Sequence, residues 1–349
     1  MDPVKLAVIG AGLIGRKHAE LIAGDDGCSL VGICDVDPRC RSVADEFNAP
    51  FYEHVEDLLK AERPEGVVVS TPNADHASVV ELCAKNLVHV LIEKPIADSM
   101  EASIRIIDIA DRMGIKVLVG HHRRHSPLIQ KVSDVVQSGR LGQLIAVSMM
   151  WTLLKPPEYF DLEWRRRRPG GGPALINLIH ELDILRFICG EVSEVYARSS
   201  STARRFEVED SLSISILLKS GVVASIIASD ATPSPWSYEA ASHENPHYFH
   251  TDQNCYHFFG TLGALGFPRM DLWSYSENDR SGWQHPLSKS EEPVVRSDPL
   301  QAQLKHFCRV VKGQEYPLVD GQDAARSLAI ALGVLKSMDT KAPVVIETP

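Results

Sequence analysis

The chain has 349 residues, 44% of them apolar and 23% charged, with a formal net charge of −10, a length and balance that fit two globular domains and exclude a disordered or fibrous chain. The acidic balance excludes nucleic acid or an anionic membrane as the main partner, since either needs a basic footprint and the run Arg165 to Arg168 is too short to supply one. No stretch approaches 18 apolar residues, the N-terminus enters a strand without a signal-like leader, and the seven cysteines form no CxxC pair; a cytoplasmic protein without structural zinc is the expectation.

The first third alternates apolar strand-like runs with helix-length segments: "KLAVIG", Ile14 to Ala23, "LVGICD", Arg39 to Phe47, "GVVVST", His76 to Lys85, "VHVLIE", Met100 to Met113 and "IKVLVG". Short continuous apolar strands separated by helices predict right-handed βαβ units and a parallel sheet covered on both faces, a doubly wound domain over residues 1–124. Within it, "VIGAGLIGRKHAEL" sets Gly10, Gly12 and Gly15 as G-x-G-x-x-G between a strand and a helix. The first glycine serves a tight turn, the second a close approach to a pyrophosphate, and the third the packing of helix on strand. Asp35 follows twenty residues after Gly15, where an acid bonds the ribose hydroxyls of a dinucleotide and would repel a 2′-phosphate. NAD is therefore expected over NADP. Thr71, Pro72 and Asn73 end the next strand, where ligands bind in open α/β sheets, and are read as nicotinamide-ribose contacts. His76, at the start of a helix, is read either as a cofactor contact or as a local hydrogen-bonding group. In "VHVLIEKPIADS" a buried strand stops at Glu93, Lys94 and Pro95, so Lys94 leaves the sheet on the side of the glycine loop, and a cis bond to Pro95 would aim it into the cleft. Leu13, Ile14 and Glu93 complete the expected cofactor contacts.

These motifs, with "VGHHRRHSP", "WRRRRPGGG" and the terminal "DGQDAARSLAIALGVLKS", occur in order over nearly the whole chain and together resemble the Gfo/Idh/MocA oxidoreductases, the glucose-fructose oxidoreductase and inositol dehydrogenase family. The resemblance implies a Rossmann domain followed by an α+β domain whose large, mostly antiparallel open sheet mediates homo-oligomerisation. It also implies hydride transfer between NAD(P) and a secondary alcohol on a sugar or cyclic polyol. By that resemblance Lys94 is the active-site lysine.

Beyond residue 124 the pattern changes to longer, partly alternating strands, "LIAVSMMW", "SEVYARSSS", "SLSISILLKSG" and "VVASIIAS", as in an antiparallel sheet with one solvated face. The second domain is read as residues 125–349, with helical spacing at Pro299 to Lys312 and Asp320 to Asp339 that packs along the sheet or back on the first domain. "GGGPALINLIHELDILRFICGE" reads as one buried helix from Pro173 to a C′ glycine at Gly190, apolar nearly all round. On that helix Asn177 and His180 sit about 60° apart, away from the leucine stripe. His180 is the expected second catalytic group, and Asn177, Arg165 and His122 are the expected substrate contacts, with Arg165 the arginine of its run read as binding the cofactor or a substrate carboxylate. The family often carries Asp four residues before this histidine; here that position is Ile176. Asp183 either orients the imidazole or anchors the helix. His243, His247, His250 and His257 match no metal-ligand spacing and read as a substrate-capping loop rather than a zinc site. The expected chemistry is oxidation of an alcohol in which His180 takes the proton and Lys94 stabilises the alkoxide. The rivals are NAD-assisted glycoside cleavage and a non-catalytic NAD-sensing regulator.

Overall fold

The computed structural model describes residues 2–168, 170–276 and 281–347. The chain divides into two compact units, one running to His122 and including Leu300–Leu328, the other running from Arg123 to Pro299 and resuming at Ala329.

The first unit is built on six strands, β1 (Val4–Ile9), β2 (Cys28–Cys34), β3 (Phe51–Tyr52), β4 (Gly66–Val69), β5 (His89–Ile92) and β6 (Val117–Val119), in the order β3-β2-β1-β4-β5-β6 with every pair parallel. All four residues of β4 are buried, as a strand covered on both faces requires. The strand order reverses between β1 and β4, which opens a crevice beyond their carboxyl ends. Helices follow their local signals. Ser99 caps Met100–Met113 by accepting from the Ala102 N–H at 3.2 Å, and Gly114 ends it at φ +70°. The late helix Pro299–Val311 belongs here as well. Its Phe307 ring lies so near Gly66 that a Cβ on that glycine would sit 3.0 Å from it.

The second unit holds nine strands: β7 (Leu144–Thr152), β8 (Val192–Ser200), β9 (Ser211–Leu218), β10 (Val223–Ser229), β11 (Tyr256–Gly260), β12 (Gly263–Phe267), β13 (Asp271–Ser274), β14 (Ser288–Glu291) and β15 (Val344–Val345). Their order is β14-β13-β12-β11-β7-β10-β9-β8-β15, antiparallel except for β7 against β10. Burial alternates along β9 and along β10 as far as Ala228, where Leu212, Ile214, Ile216, Ala224 and Ile226 face one core with the helices Pro127–Gln137 and Ile179–Cys189. Four of these strands, β7 to β10, are legible in the sequence. The other five are short, and Gly or polar residues interrupt the apolar pattern of all but β15.

Candidate functional site

The glycine loop joins β1 to the helix Leu13–Ala23. Gly10 has φ +91°, and a Cβ there would fall 2.6 Å from the Ser70 backbone; a Cβ on Gly15 would fall 1.8 Å from the Gly10 oxygen. A Cβ on Gly12 would meet nothing within 4 Å. The first and third glycines therefore close the turn, while the second faces open space. Gly12 caps the helix without a side-chain hydrogen bond, so the first-turn N–H groups lack the partner a capping side chain gives and suit an anion. Asp35, half-buried at the end of β2, accepts from Ala11 N at 2.7 Å and from Asp37 N at 2.9 Å. The acid fastens the loop through these two backbone N–H groups. Leu13 is 87% exposed and Ile14 half-buried.

Around the end of β4, the Thr71 hydroxyl is enclosed with no hydrogen-bond partner, an acceptor-donor left for a ligand to satisfy. Pro72 is exposed, and Asn73 opens a short 3₁₀ turn, Asn73–Asp75. His76 departs from the reading as a cofactor contact. It is fully buried, with Nδ1 3.1 Å from the Ile96 carbonyl and Nε2 3.0 Å from the Thr71 carbonyl. Backbone carbonyls face both ring nitrogens, and because burial pushes the pKa down, the neutral ring donates to one of them at a time, packing between the end of β4 and the segment after β5.

Beyond β5, Glu93 is buried and Lys94 half-buried, and the Lys94–Pro95 bond is cis. Glu93 Oε1 lies 2.8 Å from His18 Nε2. Burial pushes the Glu93 carboxyl up, but His18, Lys94 and His122 outweigh it and bring the pKa down to about 2. Thus Glu93, Lys94 and His122 do come together. His18, absent from the expected set, completes the cluster with a buried hydrogen bond to Glu93. The signal was in the sequence: positions 15, 18, 19 and 22 form the buried stripe of the first helix, and a histidine on such a stripe needs a partner.

In the second unit the segment that carries His180 is not one helix. A single turn, Pro173–Ile176, breaks at Asn177 and Leu178 before Ile179–Cys189 begins. The Pro173 carbonyl accepts from both Asn177 N and Leu178 N, and His180 N donates to the Asn177 carbonyl at 3.0 Å. A constant 100° per residue therefore does not relate Asn177 to His180. Asparagine is a poor helix former with a side chain that bonds elsewhere, and here Asn177 Oδ1 accepts from Lys155 Nζ at 2.7 Å. His180 is buried in the first turn of the second piece. Two buried arginines of "HHRRHSP" hold that helix: Arg123 donates to Glu181 at 2.5 Å and to Glu239 at 2.6 Å, and Arg124 grips both oxygens of Asp183 at 2.6 and 2.8 Å. That grip is what the helix-anchor reading of Asp183 expects.

Lys155 was missed. It follows β7 in "LLKPP", three residues past the end of the strand, a strand-lysine-proline order like that of Lys94 in "EKP". Only 7% exposed, it touches Asn177, lies 3.4 Å from Asp230 Oδ2 and sits over the rings of Tyr159 and Trp151. Burial lowers its pKa to about 8 against the pull of Asp230. Arg165 stacks on the other ring neighbour of Lys155, Tyr159, with Cζ 4.0 Å from the centroid, and donates to the Tyr159 carbonyl at 2.8 Å. Arg167 and Arg168 form exposed pairs with Glu163 and Asp339, and Pro169 lies outside the described residues. Arg166 lines a surface cleft of about 410 Å³ with Phe206 and Glu207 that contains none of the expected site residues. The His243 and His250 rings stack at 4.6 Å, His243 Nε2 reaches the Thr251 carbonyl, and His257 lies in β11. Among the described residues no three metal-binding side chains gather, and no helix is long and apolar enough to cross a membrane.

Two family models match the chain: the "oxidoreductase family, NAD-binding Rossmann fold" over residues 4–121 and the "GFO/IDH/MocA C-terminal domain" over residues 129–266. An inositol 2-dehydrogenase of Rubrobacter xylanophilus is 33% identical over 207 residues, 58% of this chain and 57% of that protein's length. A myo-inositol 2-dehydrogenase of Thermotoga maritima is 25% identical over 99% of both chains. Among solved structures, the WlbA dehydrogenase of Bordetella pertussis, in complex with NADH and UDP-GlcNAcA, has a TM-score of 0.80 at 23% identity, covering 99% of this chain and 100% of that one.

Proposed function

The chain belongs to the Gfo/Idh/MocA oxidoreductase family, and from that premise we propose that it is an NAD-dependent dehydrogenase oxidising a secondary alcohol on a sugar, cyclic polyol or related hydroxylated ring. One observation carries the reading: a single sheet end gathers an open second glycine, an acid closing β2 and a lysine leaving β5. The named activities of the Rubrobacter and Thermotoga relatives support a polyol substrate.

The first-turn N–H groups beyond Gly12 would hold the pyrophosphate of NAD, Asp35 the ribose hydroxyls, and Thr71 a group on the nicotinamide side. NAD bound there supplies the hydride acceptor. His180, as a neutral imidazole, takes the hydroxyl proton, and Lys94 stabilises the charge that develops on that oxygen. Asn177 holds a neighbouring group of the substrate. We further place the protein in the cytoplasm as a homo-oligomer formed through its large sheet.

The test is a screen of sugars, inositols and hydroxy acids with NAD⁺, followed by the absorbance of the reduced cofactor; no reduction with any alcohol would end the dehydrogenase reading. Titration with both cofactors tests Asp35: NAD should bind more tightly, and equal or tighter NADP binding would remove the preference.

A further inference from the structure

The polarity of the groups beside His180 bears on the charge of the substrate. Lys155 Nζ lies 2.7 Å from Asn177 Oδ1, and an ammonium has three donors and no acceptor. The amide oxygen must therefore face the lysine, which turns the Nδ2 hydrogens elsewhere. Nδ2 has no hydrogen-bond partner among the described residues, and Asn177 is half-buried. Toward a ligand, Asn177 is a donor.

Arg165 has the same polarity. Its Nη1 is taken by the Tyr159 carbonyl, while its Nε is enclosed without an acceptor. No carboxylate pairs with it among the described residues. The edge that remains, Nε with Nη2, is the one by which Arg124 grips Asp183 in this same chain, at 2.8 and 2.6 Å. Such an edge matches a two-oxygen anion. Lys155 sits on the same Tyr159 ring as Arg165, 4.3 Å from its centroid. The carboxylate that touches Lys155, Asp230, is shared with Arg204 at 3.0 Å. Glu239, the other acid acting on Lys155, is bound by Arg123 and by the Trp151 indole. Of the two acids that act on Lys155, only Asp230 touches it, and neither touches Arg165, so the guanidinium stands half-buried without a counter-charge in contact among the described residues, which is costly.

We propose that Arg165 and Asn177, the latter oriented by Lys155, form a subsite for an anionic oxygen group on the substrate, a carboxylate or a phosphate, so that the compound oxidised is a sugar acid, hydroxy acid or sugar phosphate. The inference rests on the dehydrogenase reading and narrows its substrate class.

The experiment measures ligand-induced thermal shifts and affinities of the NADH-loaded protein, at matched ionic strength, for paired probes. These are D-galacturonate against D-galactose, D-gluconate against D-glucitol, and D-glucose 6-phosphate against D-glucose. An anionic member should bind where its neutral partner does not, and whether the acids or the phosphate bind decides the group. Arg165→Met and Asn177→Asp should weaken that binding roughly ten- to hundredfold, as loss of a charge-assisted bond does. Arg165→Lys, which keeps the charge and loses the fork, should weaken it less and serves where the methionine variant does not fold. Equal binding of anionic and neutral members, no binding by any anionic member, or an unchanged preference in both Arg165 variants would overturn the proposal. The two readings fail separately. NADH formed from neutral polyols without an anionic preference ends the subsite but not the dehydrogenase, whereas anion-selective binding with no NADH from any probe ends the dehydrogenase alone.

Discussion

Replacing Lys94 by methionine keeps most of the side-chain length and removes the charge, so it isolates what the ammonium does. If that charge acts on the transition state, turnover should fall by roughly two orders of magnitude while NAD affinity, measured by titration, stays near that of the wild type. Near-normal turnover would make Lys94 a surface lysine at the end of a strand. The acid beside it gives a pH test. Burial raises the Glu93 pKa, yet His18, Lys94 and His122 bring it down to about 2 from an ordinary 4.5. Because the folded value lies below the unfolded one, the folded state binds fewer protons between these limits. The stabilisation is complete above the unfolded value and is lost as pH falls toward the folded one. At about 1.4 kcal/mol per unit it amounts to about 3 kcal/mol. Urea unfolding of Glu93→Gln should therefore show a deficit at pH 7 that narrows as pH falls from 4.5 toward 2, and a deficit independent of pH would show that the carboxylate charge adds no stability. His180 is tested through rate. Oxidation should rise with pH through an ionisation that vanishes in His180→Ala; one that persists near the Lys155 value of about 8 and vanishes in Lys155→Met belongs to the lysine instead.

The glycine loop separates stability from binding within one element. A methyl at Gly15 would collide with the Gly10 oxygen at 1.8 Å, whereas one at Gly12 would enter empty space. Gly15→Ala should destabilise the protein by about 1–3 kcal/mol. Gly12→Ala should unfold like the wild type and bind NAD at least about tenfold more weakly, because its methyl stands where the pyrophosphate would approach. Equal loss of stability in both would show that the second glycine is also structural. This loop was legible in the sequence because its signal is local: spacing of three glycines, a strand before, a helix after. The six parallel strands were legible for the same reason, in runs such as "GVVV". The second unit was less so. Its β7 pairs with β10, some 80 residues on, and with β11, and no periodicity within β7 announces either partner. The break at Asn177 escaped a helical-wheel argument because the wheel assumes the helix it is used to describe. Lys155 and His18 escaped because the value of a buried polar side chain lies in partners, Asp230 and Glu93, that stand 75 residues away in each case.

At the scale of the molecule, the large sheet has one face against its helices and one that is open. Cross-strand register places Leu217, Val223, Ala146, Phe259, Ala264 and Trp273 in a single row across six strands. Val223 is 55% exposed, Trp273 40% and Phe259 38%. The next row, Ser215, Ser225, Ser148, His257 and Gly266, is mostly small, which lets a second sheet approach to the ordinary packing distance of roughly 10 Å. An apolar row flanked by small residues on a broad sheet is an unusual surface to leave in water. The partner that suits it is a second copy of the same sheet, since a twofold pairing satisfies both faces at once. Light scattering after size exclusion should therefore give a dimer or a larger even assembly for the wild type. Val223→Lys with Ile227→Lys, two outward positions on the same strand, should lower the assembly size while the far-ultraviolet circular dichroism stays the same, because neither side chain packs in the core. A monomeric wild type would refute the pairing. So would a double variant that keeps its assembly size, since two facing pairs of lysines cannot be buried in such an interface without a large desolvation cost.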